Sequence, residues 1–200
     1  MSTAVILAGG QSRRMKTDKM ALSFQGKTFL EAALERFSAC FDTVWVSLAD
    51  PGKYPNLKAE RLADIVPGRG PISGLHAALR RTSDGGVFLV AGDMPFSDPR
   101  AALRVTELSR GYDIAAAAGP SGRPEPLFAY YAKSVLPLVE EAVEKGENKL
   151  SNLFPKARLL VVTPAMLGDL WDERLLLNVN TPEDYEALSA LFPEKGPGQG

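Results

Sequence analysis

The chain has 200 residues, 45% hydrophobic and 24% charged, a mixture that supports one domain with a sizeable core and argues against a disordered polymer. Its 23 basic and 24 acidic residues leave a net charge of −1, which excludes a bulk electrostatic drive onto nucleic acid or an anionic membrane. The single cysteine, Cys40, and the single histidine, His76, exclude an intrachain disulfide, a cysteine-ligated metal cluster and any mechanism that needs two histidines.

The first apolar run, AVILA, is short and its charges follow it, the wrong order for a signal peptide. No stretch approaches the roughly 20 apolar residues of a membrane span. The expectation is a cytoplasmic protein, a monomer that engages no nucleic acid and no membrane. Short apolar runs predict strands at Ala4–Ala8, Val44–Leu48, Val87–Ala91, Ile114–Ala118, Leu127–Tyr131, Leu159–Thr163 and Leu175–Val179. Several are continuous rather than alternating, as strands covered on both faces read. Helix signals fall between them. Thr28 and Glu31 make a capping box ahead of Phe29, Ala33 and Phe37. DIVPGRGPISGLHAAL is a Pro/Gly loop feeding a helix with Ile72, Leu75 and Leu79. Asp98–Pro99 opens a helix that ends before Gly111. Gly146 stops one that begins after Ser134. Thr181 caps another, with Glu183 and Asp184 in its first turn. Strand and helix alternate, so the expected fold is a three-layer α/β/α sandwich with a mostly parallel central sheet. Residues 1–192 are expected to form a single domain. The tail, 193–200 (PEKGPGQG), reads as disordered.

Ligands of such sheets bind at the carboxyl ends of the strands. Three strand ends carry chemistry. The first runs into LAGGQSRRMKTDK, where two glycines allow positive φ and a close backbone approach. Arg13, Arg14, Lys16 and Lys19 follow against one acid, Asp18. Exposed amides and clustered cations suit a polyphosphate; the alternative is a glycine turn with a solvated basic stretch. The spacing fits neither the P-loop nor G-x-G-x-x-G. The second, VFLVAGDMPF, sets Asp93 just past a buried strand, placed for a hard cation such as Mg²⁺ between carboxylate and phosphate, or else for capping a turn. The third, LLLNVNTPEDY, places Asn178 and Asn180 on one strand face, as metal-side amides or as the approach to the Thr181 helix. Asp64 follows a short strand. His76 and Cys40 read as structural.

These segments resemble, in order, those of the Rossmann-like nucleotidyltransferases. LAGGQSRRMKTDK, DIVPGRGPISGLHAAL, VFLVAGDMPF, RPEPLFAYY and LLLNVNTPEDY together are similar to the molybdenum cofactor guanylyltransferases, the MobA family, from Ala4 to about Leu191. The resemblance implies transfer of GMP from GTP to the phosphate of molybdopterin, with or without bound molybdenum. The products would be pyrophosphate and the guanine dinucleotide cofactor. Mg²⁺, or alternatively Mn²⁺, would be the metal. It also implies transient contact with molybdoenzymes or cofactor-insertion proteins. The Leu7, Ala8 and Gly9 backbone would meet the guanine nucleotide, with Gly10 beside the base. Lys19, assisted by Arg13, would hold the phosphates, and Asp64 would lie near the nucleoside. Asp93 would be the metal ligand and key catalytic residue. Asn178 and Asn180 would lie near the metal and second substrate, and Arg123 and Pro124 would line the acceptor side. A phosphate monoester is already ionised at neutral pH, so no proton-transfer residue is expected.

The chain departs from the family pattern at Lys16, where glycine is common after R-M. It departs again at Ser47, where an asparagine is frequent. Lys149 stands where a basic residue is usual. The rival readings are a molybdopterin cytidylyltransferase, which typically carries L-A-A-G, another small nucleotidyltransferase, and a non-catalytic adaptor that binds molybdopterin. Gly9–Gly10 and Asp18–Lys19 favour guanine.

Overall fold

In the computed structural model, residues 1–9, 18–50, 52–66 and 68–192 are described. The strands are β1 (Thr3–Leu7), β2 (Ser23–Phe24), β3 (Lys27–Thr28), β4 (Thr43–Leu48), β5 (Glu60–Ala63), β6 (Gly86–Ala91), β7 (Ile114–Ala118), β8 (Pro124–Ala132) and β9 (Leu159–Val162). The helices are α1 (Phe29–Ser38), α2 (Pro71–Arg81), α3 (Pro99–Leu108), α4 (Leu136–Glu144), α5 (Pro164–Leu167) and α6 (Pro182–Leu191). Short 3₁₀ turns fill some connections, one of them at Lys19–Ala21.

Seven strands form one sheet in the order β5-β4-β1-β6-β8-β7-β9, beside a small β2–β3 hairpin. Every neighbouring pair in the large sheet is parallel except the two that β8 makes with β6 and β7. This agrees with the mostly parallel sheet expected from the sequence. The reversal of β8 follows from its connection. Only residues 119–123 separate it from β7, enough for a hairpin and far too few for a parallel crossover. Gly122 takes a φ of 72° in that turn.

Alternate residues of each strand feed alternate faces. Ala4, Ile6, Phe88, Val90 and Phe128 pack with Leu30, Ala33 and Phe37 of α1 and with Ala101, Ala102 and Val105 of α3. Val5, Val87, Leu89, Ala129 and Tyr131 pack with Ile72, Leu75 and Leu79 of α2 and with Val139 and Ala142 of α4. The sandwich therefore has a core on each side, and the predicted capping box of Thr28 with Glu31 forms as expected. Gly146, at φ 75°, ends the stretch after α4.

One predicted strand does not form. Residues 173–176 form a turn and 177–179 continue as irregular chain, with Leu175 N–H donating to Asp172 O at 2.9 Å and Leu177 N–H to Arg174 O at 2.9 Å. The run is apolar because Leu175 and Val179 are buried, not because it joins the sheet. Both edges of β6 are already taken by β1 and β8. The tail 193–200 lies outside the described residues.

Candidate active site

The carboxyl end of β1 is tied on both sides. Ala8 N–H donates to Ser47 O at 2.9 Å, and Leu7 O accepts from Gly92 N–H at 3.0 Å. These two backbone groups, expected to face a nucleotide, already serve the sheet. Gly9 does not need positive φ. Its value is that a Cβ there would sit 3.0 Å from Ala49 N, so the β1 turn can press against the end of β4. Beyond it opens a narrow cleft of about 60 Å³ lined by Leu7, Gly9, Ser47, Asp64, Gly70 and Pro71. The last two begin α2, whose Gly70 N-cap offers no side-chain cap. The positive end of the α2 dipole therefore lies beside the cleft, where it favours an anion. Asp64 follows β5 as predicted. Burial pushes its carboxyl up, opposed by a hydrogen bond from the Ser47 hydroxyl at 3.4 Å.

The second feature is built at the end of β6. Gly92 lets the chain turn at close quarters, since a Cβ there would come within 2.6 Å of Met20 Sδ and 3.2 Å of Leu7 O. Asp93 follows, its side chain only 17% exposed. Lys19 Nζ lies 3.4 Å from Asp93 Oδ2 and donates to Asn180 Oδ1 at 2.8 Å. Three segments far apart in sequence therefore meet on one cation. Burial raises the Asp93 pKa, and Lys19 opposes that rise. The backbone joins them as well, because Val179 N–H donates to Asp93 O at 3.0 Å. Asn180 is held by α6. Asp184 Oδ2 accepts from Asn180 N–H at 2.8 Å and from Thr181 N–H at 2.9 Å, while Thr181 caps the helix. Asn180 therefore shapes the approach to the Thr181-capped helix, as one of its two sequence readings expected, while its side-chain oxygen receives Lys19. Asn178 does not share a strand face with it, because no strand forms; its amide donates to Leu176 O at 3.3 Å.

Arg123 and Pro124, expected on the acceptor side, reach this edge because β8 runs antiparallel to β6 and β7. Pro124 starts β8 opposite Ala118, and Arg123 is exposed just before it. Sequence reasoning passed over their neighbour Glu125. Glu125 lies on β8 three residues before Phe128, the partner of Val90 near the end of β6, close enough for the Asp93 charge to act on it. Burial pushes its carboxyl up and the Asp93 charge adds to this, while Leu127 N–H bonds it at 2.9 Å. The available signal was an acid between two prolines at the start of a strand.

Gly10 and Arg13, with Arg14 and Lys16, lie outside the described residues. His76 is 6% exposed on the packed side of α2, its Nε2 3.7 Å from Glu140, and Cys40 is half-buried at the end of α1; both fit the structural roles expected. A larger groove of about 700 Å³ lies between the hairpin, α1 and residues 95–100. It contains none of Lys19, Asp64, Asp93 or Asn180, so the chemistry, not the volume, locates the site. Among the described residues no cluster of three or more His, Cys, Asp or Glu could hold a metal alone, and no helix is long and apolar enough to cross a membrane.

A doubly covered sheet with a lysine, an aspartate and an asparagine converging at its carboxyl edge defines a nucleotide-handling transferase. The profile of the MobA-like NTP transferase domain matches residues 4–161. A probable molybdenum cofactor guanylyltransferase of Methanosarcina mazei is 32% identical, over 96% of this chain and 92% of the relative. One of Pelotomaculum thermopropionicum is 34% identical over 92% and 89%. The crystal structure of molybdopterin-guanine dinucleotide biosynthesis protein A from Archaeoglobus fulgidus superposes with a TM-score of 0.84 at 28% identity, covering 94% of this chain and 97% of that one. The chain belongs to the MobA-like NTP transferases and is a nucleotidyltransferase.

Proposed function

We propose that the protein transfers GMP from GTP to the phosphate of molybdopterin, releasing pyrophosphate and forming molybdopterin guanine dinucleotide. The convergence of Lys19, Asp93 and Asn180 carries the reading, in a chain whose relatives bear that activity in their names. The acceptor phosphate is an anion attacking an anionic α-phosphorus in line. Most of the work is therefore charge neutralisation and positioning. Lys19 binds the nucleotide phosphates. The cleft between Leu7, Ser47 and Asp64 takes the nucleoside, and Arg123 and Pro124 flank the acceptor. Arg13 would assist Lys19 and Gly10 would lie beside the base. Asn178 and Asn180 would border the metal and the acceptor. The acceptor phosphate needs no base, in keeping with a site built from a lysine and carboxylates.

A divalent ion fits the donor set. Asp93 is a largely buried carboxylate offset by one lysine, and its charge acts on Glu125 nearby. Mg²⁺ is commonly held by one or two carboxylates completed by substrate phosphates. Asp93 would hold it, and the ion would supply further neutralisation of the triphosphate. Mn²⁺ is the alternative ion. Calorimetry with GTP, CTP, ATP and UTP in the presence of Mg²⁺ tests the nucleotide. Selective GTP binding supports the proposal. Selective CTP binding would make the protein a cytidylyltransferase instead, and binding without turnover would make it an adaptor.

A further inference from the structure

Lys19 is not placed by its own loop alone. Asp18, the residue before it, uses both carboxylate oxygens. Oδ1 caps the Lys19–Ala21 turn by accepting from Met20 N–H at 3.3 Å. Oδ2 accepts from the Tyr54 hydroxyl at 2.5 Å and lies 2.8 Å from Lys53 Nζ. Tyr54 and Lys53 belong to the loop between β4 and β5, so two loops from adjacent strands are joined here.

That loop is shaped to deliver the tyrosine. Asp50 starts it with a side-chain turn, accepting from Gly52 N–H at 2.8 Å, while Asp50 O accepts from Lys53 N–H at 3.1 Å. Tyr54 then adopts a φ of 57°, a left-handed conformation that residues with a Cβ rarely take and that persists only where surroundings enforce it. Two donors enforce it. Tyr54 O accepts from Arg61 Nη2 at 2.6 Å and from Leu57 N–H at 3.0 Å. Neither Tyr54 nor Lys53 lines the nucleoside cleft, and neither carries a role in the transfer described above.

We propose that Tyr54, through Asp18, is a positioning residue for nucleotide triphosphate binding: a latch that holds the start of the Lys19 turn so that Lys19 Nζ stays between Asp93 and Asn180. The proposal rests on the reading of Lys19 as the phosphate-binding lysine. The latch adds no charge to the site. It removes the freedom of a lysine that would otherwise have to be ordered when the nucleotide arrives, and pre-ordering strengthens binding without new contacts.

The test is calorimetry with Mg–GTP and with tripolyphosphate on the full chain, using Tyr54→Phe, Asp18→Asn, and Tyr54→Phe combined with Lys19→Met. Tyr54→Phe keeps the ring and removes one hydrogen bond to a charged group, so GTP and tripolyphosphate should bind about 5- to 20-fold more weakly. Asp18→Asn should behave alike. On the Lys19→Met background Tyr54→Phe should have no further effect, because the latch acts through the lysine. Wild-type affinity in Tyr54→Phe, or the same loss on both backgrounds, overturns the latch. If the wild-type protein binds neither GTP nor tripolyphosphate, the phosphate reading of Lys19 falls and takes the latch with it. Wild-type binding with an unaffected Tyr54→Phe variant refutes the latch alone.

Discussion

Removing the Lys19 charge should weaken the nucleotide and, separately, make the fold sensitive to pH. Lys19 and Asp93 approach to 3.4 Å with side chains 14% and 17% exposed. At that separation the attraction is about 5 kcal/mol at an effective dielectric of 20, before the cost of taking both charges out of water. The net loss in Lys19→Met is therefore expected at about 1–3 kcal/mol. Burial already raises the Asp93 pKa and Lys19 opposes it, so the variant raises it further. A carboxyl whose folded pKa lies above its unfolded one imposes no penalty while both states are protonated. The penalty grows as pH rises through the folded pKa. Lys19→Met should thus approach the wild type as pH falls toward the ordinary aspartate value of 3.8 and fall below it at neutral pH. The difference should be about 2–12 °C in Tm, at roughly 2–4 °C per kcal/mol for a chain of this size. Adding Asp93→Asn should restore most of it. Calorimetry should show GTP bound roughly 10- to 150-fold more weakly in Lys19→Met, as for a lost charge-assisted contact. Equal Tm losses at both pH values, or no recovery in the double variant, would refute the coupling between these two residues.

Asp93→Ala should abolish pyrophosphate release while circular dichroism shows an unchanged fold. Gly92→Ala should lower stability by about 1–3 kcal/mol in denaturant titration, because its Cβ meets Met20 and Leu7 O, and should also reduce turnover by displacing Asp93. Thr181→Ala should cost about 1 kcal/mol as a lost helix cap; the KM for the acceptor should rise as Asn180 loosens. Phe88→Ala, in the core against Phe37, Phe41 and Phe128, should cost about 3–5 kcal/mol yet leave the KM for GTP unchanged in the folded fraction.

Much of the sheet was legible because its strands are buried on both faces, and continuous runs such as VFLVA leave little ambiguity. The capping box at Thr28 and the helix start at Thr181 were legible because the hydrogen bonds that make them are local. LLLNV misled because it reads as a similar apolar run. Only Leu175 and Val179 of LLLNV are buried, with Leu177 42% exposed, and the sheet order leaves β6 no free edge for a further strand. The direction of β8 could have been read from its short connection to β7. The partners of Lys19 could be named singly from their motifs. Tyr54 and Glu125 could not, because Tyr54 meets Asp18 across 36 residues, and Glu125 comes near the Asp93 charge only once β8 is known to lie antiparallel beside β6.

Pyrophosphate release with molybdopterin as acceptor is the direct readout of guanylyl transfer. With Mg²⁺ present, the protein should release one pyrophosphate per dinucleotide formed from GTP, release little from CTP, and lose turnover in Asp93→Ala. Turnover with CTP in preference to GTP, or release undiminished in Asp93→Ala, would rule out guanylyl transfer at this site.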